Sequence, residues 1–336
     1  MIARTTFASF EIAPRVVLTR ALLTGFVLAL ALTTLRFGTY PIATADLLIF
    51  LIRGGDGIAH TLVVEHRLPR LMTALGVGVA FGLAGALFQT MLRNPLASPD
   101  WIGFTPGASF GALLAIYATG GNVIPGAVLG TLATAAVVLA LAMDQGLNVR
   151  KLIVIGIGAN LSIAAAADLL LAQVDLMTAA DMTKWLVGSL NGRDWADVAV
   201  IWVGLAALLP GILAVGFPLK GLMLSDDVAR GQGIAVSAMR LLTAGLGVGL
   251  VALGVAVAGP LPFVAFLAGP IAKGLEGGTR PALYSAAMVG ALVVLAADYV
   301  ARLVPLVLLP AGVFTALIGA PCLLVLLVIA ARRGQI

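Results

Sequence analysis

The feature that most constrains this chain is a succession of apolar runs, each close to the length of a membrane-crossing helix and separated by short polar stretches. A helix needs about 20 apolar residues to cross a hydrocarbon layer roughly 30 Å thick. Such runs occupy roughly 18–36, 71–92, 103–119, 123–143, 152–172, 196–216, 240–258, 262–275, 281–301 and 310–331. They predict an all-α polytopic membrane protein with about ten transmembrane helices, forming one transmembrane domain over residues 1–336. Hydrophobic residues make up 61% of the sequence and charged residues 10%, with a mean hydropathy of +1.12. One soluble core cannot hide that surplus, so lipid must solvate it. The runs are continuous and do not alternate, which argues against a β-barrel. The eighth run is short and bracketed by Gly259-Pro260 and Gly277-Gly278. It is expected to be irregular or broken, which a membrane tolerates only where protein covers it or it lines a cavity.

The charges sort along this pattern. With the N-terminus in the cytoplasm, ten crossings return the C-terminus there. Thirteen of the twenty basic residues then fall on the inner side: Arg4, Arg15, Arg20, Arg93, Arg150, Lys151, Lys220, Arg230, Arg240, Lys273, Arg280, Arg332 and Arg333. Seven fall outside: Arg36, Arg53, Arg67, Arg70, Lys184, Arg193 and Arg302. An inner excess of Lys and Arg is the orientation signal of membrane proteins. The net charge of +5 is scattered between apolar runs, so no nucleic-acid partner is expected. The first run comes after Arg4, Arg15 and Arg20 and could be a cleaved signal. A retained helix behind a cytoplasmic tail, 1–17, is the preferred reading, because the sequence beyond this run does not resemble a soluble domain. On the outer side, 41–66 is expected to lie at the surface, and 178–195, with Trp185 and Trp195, to form an interfacial helix.

Forty glycines fit closely packed helices. Gly78 and Gly82, Gly126 and Gly130, and Gly245 and Gly249 each place two small residues one turn apart. The stretch 76–85 echoes 247–259 through a shared Gly/Val bias. Cys322 is the single cysteine, so no intrachain disulfide or cysteine metal site can form. His60 and His66 are too few for a metal centre, and no cofactor is expected. No phosphate-binding loop occurs, so the chain is not expected to be an enzyme. Acids at membrane depth are nearly lacking, which weakens an ion-coupled carrier. Asp168 and Asp298 fall toward outer helix ends, where Asp298 could pair with Arg302 one turn on. The one substantial polar inner loop, 224–234 within about 218–236, carries Asp226 and Asp227. These could start a short helix and offer a docking element.

Particular motifs sharpen this picture. Arg67-Leu68-Pro69-Arg70, Gly85, Gln89, Arg93-Asn94-Pro95-Leu96-Ala97-Ser98-Pro99, Gly103 and Gly107-Ala108 resemble the signature of the FecCD permease family. Trp185 with Gly188-Ser189-Leu190, the 224–234 loop, Gly259 with Phe263-Val264, Gly290-Ala291, Ala297-Asp298, Arg302, and Pro310 through Gly319-Ala320-Pro321 extend the resemblance to the end of the chain. The family pattern often has Pro-His where Gly269-Pro270 stand, Arg where Lys273 stands, Glu where Leu309 stands, and Gly and Leu at Ser225 and Gln232. The segments 98–104 and 263–266 are most similar to the ferric-siderophore, enterobactin-type branch.

The resemblance implies a type II ABC importer permease like that for vitamin B12, taking an iron(III)–siderophore across the cytoplasmic membrane. Haem or vitamin B12 as cargo, or an ion-coupled carrier, are the alternatives. It implies a second FecCD-type permease, identical or homologous, two ATP-binding subunits and an extracytoplasmic substrate-binding protein, all around a pathway in membrane lipid. Within it, Arg67, Arg70 and Arg302 are expected to dock the binding protein. Asn94 and Leu96 are expected to narrow the inner mouth, and Ser225, Asp226, Asp227, Ala229 and Gly233 to couple to the ATPase.

Overall fold

The computed structural model describes residues 2–4, 9–11, 13–38, 40–44, 46–47, 50, 57–144, 146–278, 280–303 and 309–332. Arg53 and Arg333 of the charge pattern lie outside them. The described chain forms α1 (Pro14–Arg36), α2 (Leu68–Met91), α3 (Phe104–Thr119), α4 (Val123–Ala142), α5 (Val149–Leu171) and α6 (Leu176–Leu186). It continues through α7 (Trp195–Gly216), α8 (Pro218–Leu222), α9 (Asp226–Gly231), α10 (Val236–Ala258), α11 (Val264–Glu276), α12 (Leu283–Leu303) and α13 (Ala311–Arg332). Each apolar run became a helix. Seven helices among the described residues are long and apolar enough to cross a membrane. α3 and α11, at 16 and 13 residues, are shorter.

Two boundaries differ from the sequence reading. The tail is shorter than 1–17, because α1 starts at Pro14, where a proline's missing N–H costs nothing. Ahead of it, Ile2–Arg4 pairs antiparallel with Ser9–Glu11. The end of the 41–66 segment lies largely at the surface, as expected, and is helical. Ile58–Thr61 and a π-helical turn, Leu62–Arg67, run straight into α2. Pro69 explains the wide turn: it has no N–H for the Glu65 carbonyl and its ring crowds that oxygen.

α2 is the central post, packed against α12, α10, α11 and α7. It crosses α12 at backbone contact. A Cβ on Gly290 would lie 2.2 Å from the Gly78 carbonyl oxygen, and one on Gly82 2.2 Å from the Ala286 oxygen. Gly126 and Gly130 of α4 meet Gly111 and Gly107 of α3 in the same way. This is how helices associate in lipid, where close backbone approach replaces hydrophobic exclusion. The third pair does not behave so: Gly245 faces open space. On α10 the packing glycines are Gly247 and Gly254, which receive the buried Phe88 and Phe81 rings of α2. The two echoing Gly/Val stretches therefore lie against each other.

The Gly269-Pro270 departure in α11 has a structural account. Pro270 cannot donate to the Phe266 carbonyl one turn back. Gln89 of α2 supplies the donor instead, with Nε2 2.9 Å from Phe266 O. Gly269 makes room, since a Cβ there would lie 1.7 Å from Gln89 Oε1. Leu309, in place of the family's acid, packs against the buried Ala297, Ala301 and Phe314.

Candidate functional site

The predicted site residues fall into two groups at opposite ends of α2, here called upper (Arg70) and lower (Arg93). At the upper end the Asp298 carboxylate of α12 is fully buried and held by two arginines. Arg70 donates Nε and Nη2 to Oδ1 at 2.9 and 2.6 Å. Arg302 donates Nε to Oδ2 at 2.9 Å and also pairs through Nη2. The predicted Asp298–Arg302 pair is thus one side of a triad. Two cations around one buried acid leave the cluster net positive, and its edge is open: the Arg70 and Arg302 side chains are 18% and 16% exposed.

Arg67 is different from the surface docking residue expected. It is buried, and its guanidinium is filled by backbone carbonyls: Leu35 at 2.7 Å, Arg36 at 3.4 Å and Tyr40 at 2.6 Å. These are the oxygens that the end of α1 and the turn after it leave without helical partners. Arg67 therefore clasps that turn to the π-helical segment.

At the lower end the chain leaves α2 through Leu92 and Arg93, the latter at φ 51°. Asn94 Oδ1 accepts the Leu96 N–H at 2.9 Å, a local turn that orients the predicted gate pair. Ser98 and Thr105 hydroxyls donate to the Asp100 carboxylate at 3.0 and 2.6 Å. Loss of solvent around that carboxyl raises its pKa above the usual range, and the two hydroxyl bonds only partly offset it. Asn160 of α5 donates Nδ2 to the Asp100 carbonyl at 3.2 Å and ties this loop to α5.

The 224–234 loop contains α9, as expected, but its cap is Ser225, whose Oγ accepts the Val228 N–H at 3.5 Å. The family's usual glycine could not do this. The two acids occupy the first turn and diverge. Asp227 is 94% exposed and pairs with Arg230. Asp226 turns back into the protein and receives Arg93 Nη2 at 2.5 Å and Arg240 Nη2 at 2.8 Å. Burial pushes the Asp226 carboxyl up, yet the hydrogen bonds and charges of Arg93 and Arg240 outweigh it and hold it below the usual range. Arg93 Nε also donates to Leu222 O at 2.6 Å. Ala229 is the buried residue of α9, and Gly233, at φ 80°, closes the helix by donating to Arg230 O.

The lower group is therefore one assembly. Arg93, next to Asn94 in sequence, bonds directly to the 224–234 loop, and a cavity of about 520 Å³ beside it is lined by Arg93, Arg150, Arg230, Arg240, Asp144 and Asp226. Sequence reasoning did not single out Arg93 or Arg240, because their shared partner lies in another loop. Gln89 stood only as a motif letter. The proline that needs its amide is the signal that could have found it.

The profile of the FecCD transport family matches residues 23–329. The ferric enterobactin transport system permease protein FepG of Escherichia coli K12 is 35% identical over 323 residues, covering 95% of this chain and 98% of that protein. The Fe(3+) dicitrate transport system permease protein FecD of the same organism is 35% identical, covering 89% and 94%. A solved structure of a metal-chelate type ABC transporter in an inward-facing conformation superposes with a TM-score of 0.81 at 29% identity, covering 93% of this chain and 99% of that one.

Proposed function

The chain belongs to the FecCD transport family and is the membrane permease component of an ABC importer, and on that footing we propose that it carries an iron(III)–siderophore complex across the cytoplasmic membrane. In this reading the upper end faces outward, the lower end and both termini face the cytoplasm, and ten helices cross. Two copies, or this chain and a homologue, enclose the pathway. A substrate-binding protein docks above and two ATP-hydrolysing subunits dock below.

The observation that carries the reading is the bond between the gate loop and the coupling loop. A conformational change must pass between a site where ATP is used and a site where cargo passes, and it needs a physical connection with two arrangements. Arg93 supplies a connection here: it leaves the loop of Asn94 and Leu96 and reaches Leu222 and Asp226. The exposed side of α9, with Asp227 and Val228, is the surface offered to the ATPase, while Ser225, Ala229 and Gly233 hold its shape. The siderophore cargo is supported by relatives named for ferric enterobactin and ferric dicitrate. At the upper rim, Arg70 and Arg302 keep an exposed positive edge suited to carboxylates of a binding protein. Arg67 serves that face by holding the 35–40 turn.

The test is uptake of a panel of radiolabelled ferric chelates by a strain lacking the endogenous permease and expressing this chain with its ATPase and binding protein. Ferric-siderophore uptake that requires ATP and survives collapse of the proton gradient is expected. Uptake of only haem or vitamin B12, or uptake driven by an ion gradient without the ATPase, would refute the reading.

A further inference from the structure

A second, smaller cavity of about 200 Å³ lies at the lower end of α2, between the gate loop, the segment after α8, and α11. It is below the roughly 300–1,000 Å³ of ordinary ligand pockets. It is large enough for a small ion with several waters at about 30 Å³ each. Thr90, Arg93, Asn94, Met223 and Lys273 line it together with Gln89.

The lining offers three unused donors and one buried unpartnered acceptor, Gln89 Oε1, which faces the tight Gly269 contact of α11. Lys273 is half-buried and makes no ion pair among the described residues. The acid one turn along its helix, Glu276, is committed elsewhere: it receives Arg20 Nε at 2.9 Å and the Ser285 hydroxyl at 2.6 Å. Arg93 shares the single Asp226 carboxylate with Arg240, so Arg93 and Lys273 both bring positive charge to the cavity, Lys273 with no ion-pair partner at all among the described residues, and no carboxylate lines it. Thr90 is buried and its Oγ1 has no partner. Other helical threonines, Thr24, Thr119, Thr131, Thr183 and Thr243, return their hydroxyls to the carbonyl four residues back. Thr90 does not. Asn94 has its Oδ1 occupied by the Leu96 N–H, which leaves its amide donor.

A half-buried ammonium without a counter-charge and a buried hydroxyl without a partner are each costly. One occupant relieves both: an anion that accepts several hydrogen bonds. We propose that this cavity binds a phosphate-class oxyanion, held by Lys273 Nζ, Thr90 Oγ1 and the Asn94 amide. Because it touches the gate loop, Met223 and α11 at once, its occupancy would fasten these three elements to one another. Anion binding here is independent of the cargo, and only its effect on the gate loop rests on the transport reading.

The experiment uses the full chain purified in a phospholipid-free maltoside detergent. Its unfolding midpoint is followed as inorganic phosphate is titrated against chloride at matched ionic strength. A saturable rise with phosphate and none with chloride is expected. Lys273→Gln should weaken half-saturation about tenfold or more, the loss of a charge-assisted hydrogen bond. Thr90→Val should weaken it about threefold, and Lys273→Arg should retain binding. A parallel titration with phosphatidylglycerol separates sources: a Lys273-dependent effect of the lipid alone assigns the phosphate to a headgroup. Should Lys273→Gln not fold, Thr90→Val decides. Equal effects of phosphate and chloride, no saturable effect of either phosphate source, or unchanged half-saturation in the substituted proteins would overturn the proposal.

Discussion

Arg93 Nη2 lies 2.5 Å from Asp226 Oδ1, and this one bond joins the loop below α2 to the six-residue helix α9. The side chains are 34% and 29% exposed, so the bond adds only about 0.2–1 kcal/mol to stability. Its consequence should appear in transport rather than folding. Asp226→Asn and Arg93→Gln are each expected to lower uptake at least about fivefold, the scale of a coupling energy between sites, with little change in membrane abundance. The double variant should be no worse than Asp226→Asn alone. Additive losses in an uptake assay would separate the two residues.

Gln89, Pro270 and the Phe266 carbonyl form a second testable unit. Gln89→Leu strands a buried carbonyl and should destabilise the chain by about 1–3 kcal/mol. Pro270→Ala restores a backbone donor for the same oxygen. In the Pro270→Ala background, Gln89→Leu should therefore cost clearly less than in the native chain. Unfolding in detergent measures the cycle, and equal costs in both backgrounds would disprove the replacement of one donor by the other.

Two glycines should respond in opposite ways. Gly290→Ala drives a methyl into the Gly78 carbonyl and is expected to cost about 1–3 kcal/mol. Gly245 meets nothing within 4 Å, so Gly245→Ala should gain up to about 1 kcal/mol from helix propensity. Comparing unfolding midpoints of the two variants checks the contrast.

Two acids should leave opposite marks on stability against pH. The folded Asp226 is depressed by its arginines. Its contribution is complete above the unfolded carboxylate pKa and is lost as pH falls through the folded value. Asp100 is raised by desolvation, so its contribution is present below the unfolded pKa and is lost as pH rises through the folded value. Asp226→Asn should flatten the acid side of the profile, and Asp100→Asn should remove the decline on going toward neutrality. Midpoints recorded from about pH 3 to about pH 8, the range spanning ordinary carboxylate titration, read both. An unchanged profile in either variant would contradict the assigned environment.

The upper arginines need a balanced test, because reversing one would set a second acid against the buried Asp298 carboxylate, and removing both would strand it at a cost of about 3–5 kcal/mol. The triple variant Arg70→Gln, Asp298→Asn and Arg302→Gln removes all three charges together. It should insert normally, bind the substrate-binding protein more weakly, and lose most of the salt dependence of that binding. Native affinity with native salt dependence would exclude docking by these arginines.

The helices were legible because apolar length is a local property. α4, expected at 123–143, spans Val123–Ala142, and α12, expected at 281–301, spans Leu283–Leu303. The pairing of polar groups was less accessible. Spacing places Gly245 and Gly249 on one face of α10 but cannot say which face meets α2, and the neighbours chose Gly247 and Gly254. Arg70 finds Asp298 across 228 positions of sequence, and Arg67 finds carbonyls exposed only once α1 ends. The Asp298–Arg302 contact was readable, being one turn of a single helix. The 224–234 stretch was recognisable as a polar loop, but that Asp226 faces inward and Asp227 outward depends on Arg93 and Arg240, which no local pattern announces.

The helical stretch from Ile58 to Met91 is 34 residues long, about 51 Å at 1.5 Å per residue. Arg70 rides near the start of α2, past the wide turn, and Arg93 leaves from its far end, about 35 Å away on the same scale. The stiff part between Arg70 and Arg93 acts as a lever: a tilt of about 5° around its middle carries each tip about 1.5 Å, in opposite directions. A push at the upper rim would thus arrive at the lower loop as a sideways displacement without any helix having to unwind. The wide turn at Leu62–Arg67 sits beyond the lever's upper tip, where it can absorb slack from the preceding chain while leaving the arm stiff.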